Sequence, residues 1–323
     1  MTRHAPFYAE VQAHYDLSDD FFALFLDPTR TYSCAYWERP DSTLEQAQIA
    51  KIDLALGKCD LQPGMTLLDI GCGWGSTMLR ALDAYDVNVI GLTLSRNQHD
   101  YIRAQLDKRE FPGRRAEVRL QGWEEFDGQA DRIVSIGAFE HFRQERYEDF
   151  FGFAYSTLPA DGVMLLHTIV MYGLNHLRAN EIPLTRADIG FMRFIRTVIF
   201  PGGQLPLPWG PIPRGVREYA QEAGFTVTRT HPLRLHYATT LDHWADALSA
   251  RRDEAIALAG EDTYDTYMRY LTGCAHHFRA GHIDVMQFTC AKDPQPDLAC
   301  APLSRRAVDS RPGLERPRPR SAH

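Results

Sequence analysis

Residues 67–76 read LLDIGCGWGS, a short apolar run that ends in an acid and is followed by three glycines at alternate positions. The run has strand length, and the glycines supply a tight bend before a helix begins. Strand–bend–helix units build a doubly wound sheet, and such sheets bind ligands outside the carboxyl ends of their strands. The rest of the chain keeps that rhythm. Strands are expected at 65–70 (MTLLDI), 87–94 (VNVIGLTL), 116–120 (AEVRL), 132–139 (RIVSIGAF) and 162–169 (GVMLLHTI). Helices are expected over 75–84, 97–108 and 144–157. The fold class is therefore α/β with a mostly parallel sheet.

Around this alternation lie less regular segments. Residues 1–60 read as a helical, aromatic-rich cap, in which Ser42 and Glu45 form a capping-box pattern for the helix that follows. A core is expected over 61–292. Within it the alternation lapses at 170–217, too long a stretch for a plain connector and of the kind that forms a lid. Helix RGVREYAQEAGF, strand TVTRTHPLRLHY (226–237), two helical stretches and a last strand, IDVMQFTCAK, complete the core. The tail 293–323 is rich in Pro, Arg and Ser and is expected to be disordered. With 35 basic and 42 acidic residues the net charge is −7, which disfavours general nucleic-acid binding. Six cysteines without regular spacing suggest reduced thiols. Neither a signal peptide nor a membrane span is expected, so the setting read is cytoplasmic with at most peripheral membrane contact.

The glycine spacing separates two cofactors. Gly71, Gly73 and Gly75 make G-x-G-x-G, with Ser76 where the dinucleotide fingerprint needs a glycine. That pattern fits the S-adenosylmethionine (SAM) methyltransferase bend better, with Cys72 and Trp74 inside it and Asp69 facing the methionine end of the cofactor. After the second strand, Thr93, Leu94, Ser95 and Gln98 offer no acid for ribose hydroxyls, which counts against an NAD oxidoreductase. Trp123 and Glu124, just past the third strand, are placed to cover an adenine ring and accept from its amino group. A ligand-free turn and a core tryptophan are the competing readings of those features.

The segments HYDLSDDFFALFLDPTRTYSCAYW, LLDIGCGWGS, GLTLSRNQ, GWEEF, IVSIGAFEHF, FPGG, HYATTLDHW and YLTGCAHHFRAGHIDVMQFTC occur in one order over residues 7–292. Together they resemble the cyclopropane fatty acid synthases, nearest to the mycolic acid branch of mycobacteria. The resemblance implies a class I SAM methyltransferase with a seven-stranded sheet, a helical N-terminal cap and a lid. It implies C-methylation of a cis double bond in a long acyl chain, meromycolyl on an acyl carrier protein, through a carbocation. The product would be a cyclopropane, a methyl branch or a hydroxylated branch. It further implies a bound bicarbonate as base, held by Glu140, His167, Tyr237 and backbone near Cys34 and Ile136, while Tyr32 and Ser33 reach the cofactor.

From the residues alone, Glu140 also reads as a helix-capping acid, His167 as a core histidine and Tyr237 as a packing aromatic; their joint occurrence favours a site. Cys274 matches the family's candidate nucleophile, but methyl transfer to an alkene needs no covalent enzyme intermediate, so a buried structural thiol is preferred. His276 and His277, adjacent on a helix, point apart, and no metal is expected. Between Met171 and Arg217 six arginines face only Glu181 and Asp188, a basic segment that would dock an acidic carrier protein or merely be a solvated face. IVMYGLNHLRANEIPL and QLPLPWGPIPRGV depart from the family's segments, which leaves the acyl chain open. A methyltransferase of a smaller natural product and a non-catalytic acyl- or SAM-binding protein are the alternatives.

Overall fold

The computed structural model describes residues 4–6, 19–210 and 214–293. The expected tail beyond 293 and most of the first eighteen residues of the expected cap lie outside the described residues. In the described part, helices α1 (Asp19–Ala23) and α2 (Leu44–Leu56) precede strand β1 (Thr66–Ile70). Then come α3 (Ser76–Ala84), β2 (Asn88–Thr93), α4 (Arg96–Leu106), β3 (Ala116–Leu120), β4 (Arg132–Ile136), α5 (Tyr147–Thr157) and β5 (Val163–Met171). The insertion supplies α6 (Leu174–Ala179) and α7 (Arg186–Phe194), the latter continued by a π-helical turn, Ile195–Ile199. Helix α8 (Val216–Glu222), β6 (Thr226–Pro232), α9 (Arg234–Ala250), α10 (Arg252–Ala259), α11 (Glu261–Ala280) and β7 (Ile283–Ala291) finish the fold.

The seven strands order as β3-β2-β1-β4-β5-β7-β6, with β7 antiparallel to both neighbours and the other pairings parallel. The connections turn one way from β1 to β2 and the other way from β4 onward. The crevice between the carboxyl ends of β1 and β4 is thus the switch point where a ligand can enter. The central strands are apolar on both faces because helices cover both sides. Aromatic edges bind the cap to the core: Phe22 lies 5.4 Å from Trp74 and 5.3 Å from Tyr32, and Phe25 lies 6.1 Å from Trp244.

Three local expectations are corrected. Thr43, not Ser42, caps α2: its hydroxyl accepts from Gln46 N at 3.2 Å, and the Gln46 side chain accepts from Thr43 N at 3.0 Å. Starting there turns Ala47, Gln48, Lys51, Ile52 and Ala55 toward the interior. The strand expected over 226–237 stops at Pro232, and residues from Arg234 are helical, so Tyr237 projects from a helix. Proline has no N–H to carry a ladder onward. Before α5 the chain makes a 3₁₀ turn over Gln144–Arg146 rather than α-helix. Thr43→Ala should lower stability by about 1 kcal/mol, whereas Ser42→Ala should change it by less than about 0.5 kcal/mol. Urea midpoints of the two variants check this directly.

Candidate active site

The bend after β1 is shaped by two close approaches. Gly71 has φ +76°, and a Cβ there would lie 2.3 Å from that of Ala138. Gly75 has φ +86°, and its Cβ would come within 2.9 Å of Ile102. Gly73 differs: its φ is +56° and no atom lies within 4 Å of where its Cβ would be, so the middle of the bend faces open space. Cys72 and Trp74 are buried, and the Trp74 indole N–H donates to Asp19 at 3.1 Å. They hold the bend rather than line its open side. Asp69 is buried with Oδ2 unpartnered, and desolvation raises its carboxyl to about 7 against the opposing pull of Lys51.

The next contacts are tightly held. Thr93 donates to the Gln98 side chain at 2.9 Å, and Ser95 caps α4 by accepting from Gln98 N. Leu94 lies in the turn between them. Trp123 is buried against Phe142, Phe150 and Phe153, so its core reading holds, yet its indole N–H has no partner. Arg146 pairs with Glu124 at 3.0 Å, and burial raises the Glu124 carboxyl.

A second set of residues fixes the loop that carries Tyr32, Ser33 and Cys34. Gln48 donates to the carbonyls of Thr31 and Ser33 at 3.2 and 2.8 Å, and Lys51 donates to Ser33 Oγ at 2.9 Å. Ala35 N donates to Thr240 Oγ1 at 3.1 Å, and Trp37 N to His236 Nδ1 at 3.1 Å. The loop is thereby clamped between α2 and α9. Tyr32 OH donates to Tyr270 OH at 3.2 Å. Gln48 and Lys51 went unread in the sequence, although the signal was there: two polar side chains three apart on the buried face of α2. Burial lowers the Lys51 ammonium to about 8.

Beside this loop opens a cavity of about 800 Å³, lined by Tyr32, Ser33, Cys34, Glu140, His167, Tyr237 and Cys274 among others. Strand register explains the meeting of Ile136 and His167, which are paired across β4 and β5. Ile136 itself is off the cavity wall; its neighbour Gly137 is on it and donates its N–H to His167 O at 2.9 Å. Strand β5 runs on past the end of β4, leaving the Ile169 N–H free of a strand partner on that edge. The Glu140 carboxylate takes it, Oε1 accepting at 2.6 Å. Glu140 Oε2 and His167 Nε2 are buried without partners. Desolvation raises the Glu140 carboxyl to about 7, holds the His167 imidazolium far below its usual range, and pushes the Tyr237 phenol up. Phe191, Phe200, Leu241, Tyr270 and Phe278 give the walls an apolar and aromatic character.

Cys274 lines the cavity, but burial pushes its thiol up, so it remains protonated and is a poor nucleophile. His276 is exposed, while His277 is buried and lines the cavity. His277 Nδ1 faces His282 Nδ1 at 2.8 Å, and its Nε2 faces Asp188 Oδ1 at 3.9 Å. One ligating atom from each of Asp188, His277 and His282 lies within 4.8 Å of the others, so this buried trio, unlike the adjacent His276 and His277 pair, could hold a metal ion. They form a polar chain tying α7 to α11.

The burial of Glu140 has a measurable sign. The folded state keeps the Glu140 proton up to about pH 7, while the unfolded chain loses it near 4.5. Its ionisation therefore weakens the fold as pH rises through that window. Glu140→Gln should be more stable than the parent by on the order of 1–3 kcal/mol at pH 8, and nearly neutral at pH 4. Denaturant titrations at the two pH values check this.

The model of the mycolic acid cyclopropane synthetase family matches residues 2–288. Cyclopropane mycolic acid synthase 1 of Mycobacterium tuberculosis is 60% identical over 287 residues, 89% of this chain and 98% of that one. The solved structure of the cyclopropane synthase MmaA2 from the same organism superposes with a TM-score of 0.86 at 58% identity, covering 89% of this chain and 99% of that one. A structure of mycolic acid cyclopropane synthase CmaA1 complexed with SAH and CTAB superposes at 0.85 with 59% identity, covering 90% and 99%. With its bend, loop and cavity arranged on this fold, the chain belongs to the mycolic acid cyclopropane synthetase family.

Proposed function

We propose that this protein transfers a methyl group from SAM to a cis double bond in a long unsaturated acyl chain, in mycolic acid or related lipid synthesis. The observation that carries the reading is an apolar cavity lined by Glu140 and His167, each of which has a buried polar atom without a partner, Oε2 and Nε2. The relative CmaA1, crystallised with SAH and with CTAB, a long-chain alkyl ammonium, supports it.

The residues fit the cofactor: Asp69 Oδ2 is unpartnered and Gly73 opens on empty space, so both can face a cationic amino acid end and its neighbouring backbone. SAM supplies, when bound, a methyl group on a positively charged sulfur. An isolated alkene is a weak nucleophile, so the protein must exclude water and stabilise charge as it develops on carbon. Tyr237, Tyr270, Phe200 and Phe278 line the cavity, and an aromatic face turned to a desolvated cation contributes about 1–2 kcal/mol. As the π electrons form the new bond to methyl, the methyl–sulfur bond would break with its electron pair left on sulfur, and the neighbouring carbon would become cationic. Loss of a methyl proton then closes a ring, and entry of water instead gives a hydroxyl. Glu140 and His167 would hold a bicarbonate as the base for that proton: a neutral imidazole could donate to its oxygens, and the Glu140 carboxyl, once ionised, could accept from its O–H.

We assign delivery of the acyl chain to an acyl carrier protein. Arg193 and Arg196 are exposed, line the cavity and make no ion pair among the described residues, whereas Arg214 pairs with Glu148 and Glu222. The free cations of α7 and of the π-helical turn that continues it suit an acidic carrier. A setting in the cytoplasm is part of the same reading, supported by the five cysteines among the described residues, all free and buried. No helix among the described residues is long and apolar enough to cross a membrane.

Expression in a host lacking such enzymes should add one CH₂ to the mass of unsaturated long chains, and Glu140→Gln should abolish the gain. Unchanged lipids in a host that supplies the acyl carrier would refute the reading. The double variant Arg193→Glu/Arg196→Glu should lower kcat/KM for carrier-bound substrate about tenfold or more and flatten its salt dependence. SAM binding by calorimetry should be unchanged in that variant.

A further inference from the structure

Strand register sets three polar side chains in one row across the sheet. His167 on β5 is directly opposite Gln287 on β7, and Gln287 is directly opposite His231 on β6. Residues directly opposite on neighbouring strands share a face of the sheet. Lys58, just past the end of α2, reaches this row from the helical layer. Its Nζ donates to Gln287 Oε1 at 2.5 Å and lies 3.0 Å from His231 Nδ1. The other end of the amide, Gln287 Nε2, lies 3.2 Å from His167 Nδ1. Gln287 and His167 are buried, and so is Lys58.

Donor and acceptor logic along the row leaves one assignment. Burial lowers the Lys58 ammonium to about 7; below that pH it has only donors, so the amide must turn its oxygen to Lys58 and therefore its NH₂ to His167. An NH₂ group can only donate, so His167 Nδ1 must be an acceptor and carry no hydrogen. His167 is neutral because burial and the nearby Lys51 and Lys58 oppose its protonation. Its one hydrogen is then on Nε2, the atom that is buried without a partner. Reversing the amide would set NH₂ against the Lys58 donors and lose a charge-assisted hydrogen bond.

We propose that Gln287, oriented by Lys58, is a positioning residue that locks His167 in the Nε2–H tautomer and so turns a hydrogen-bond donor toward an anion in the cavity. The anion's role rests on the function proposed above, whereas the tautomer is a property of the free protein. Outer partners of this kind, acting through a histidine they orient, commonly change activity 10–100-fold.

The test begins at pH 6, where Lys58 is charged, with the unmodified protein labelled with ¹⁵N-histidine, in which long-range ¹H–¹⁵N spectra report which ring nitrogen bears the hydrogen. The His167 signals are assigned by their loss in His167→Asn. The expected spectrum shows hydrogen on Nε2; hydrogen on Nδ1, or an imidazolium, would overturn the proposal. In Gln287→Glu, a carboxylate opposite Nδ1 should draw the hydrogen to that nitrogen. Gln287→Met, similar in size but unable to donate, should leave a mixture of tautomers. Both variants should lower kcat about 10–100-fold while SAM affinity stays within about twofold. Because the ¹⁵N spectrum is read without substrate, it stands even if the acyl substrate is wrong. An Nε2–H spectrum with full activity in both Gln287 variants would leave the tautomer in place but overturn its catalytic use.

Discussion

Water exclusion at the carboxyl edge of the sheet is the constraint on which the rest of this molecule depends. Asp69 Oδ2, Glu140 Oε2 and His167 Nε2 are all buried there without partners. Burying polar atoms in that way costs stability unless something else binds them. Both carboxyls respond by moving to about 7. A fold that keeps such groups dry and unsatisfied has exchanged stability for a site that can bind charged ligands strongly. The nearby Lys51 tempers the cost at Asp69 by opposing its shift.

Everything around the edge serves to close it. The aromatic contacts of α1 cover Trp74 and the bend beneath it. Gln48, Lys51 and Thr240 clamp the loop at Tyr32–Cys34 from two sides, so its backbone is preorganised. The insertion folds back over the cavity: Gln204 N donates to Glu140 O at 2.9 Å, and Met171 N donates to Pro206 O at 2.9 Å. The π-helical turn after α7 presents Ile195 and Arg196 to the cavity, the kind of local irregularity found at functional sites. Cover and catalytic edge are thus one hydrogen-bonded unit.

Local chemistry was legible where a residue's role depends on its immediate neighbours. The glycine bend, the acid before it and strand β3 stand where short-range pattern put them, because steric limits on φ and alternating apolar runs act within a few residues. Legibility failed where two local options were equal. Ser42 and Thr43 carry the same hydroxyl, and only the face that α2 buries chose Thr43. The stretch at 226–237 is β-rich in composition throughout, but Pro232 and packing of α9 on α11 ended the strand early. Gln287 was passed over because a polar side chain in an apolar strand reveals no partner until the distant segment arrives.

The amino-acid sequence by itself determined the α/β class, the position of the cofactor bend and the residue types available for chemistry, since these follow from steric and periodic rules along the chain. Tertiary structure alone decided which polar atoms would be left unpartnered and dry, which carboxyls would hold their protons near neutrality, and which way the Gln287 amide would face. Those properties arise from desolvation and from contacts between residues more than a hundred positions apart, such as Gln287 and His167. No window of sequence contains both partners.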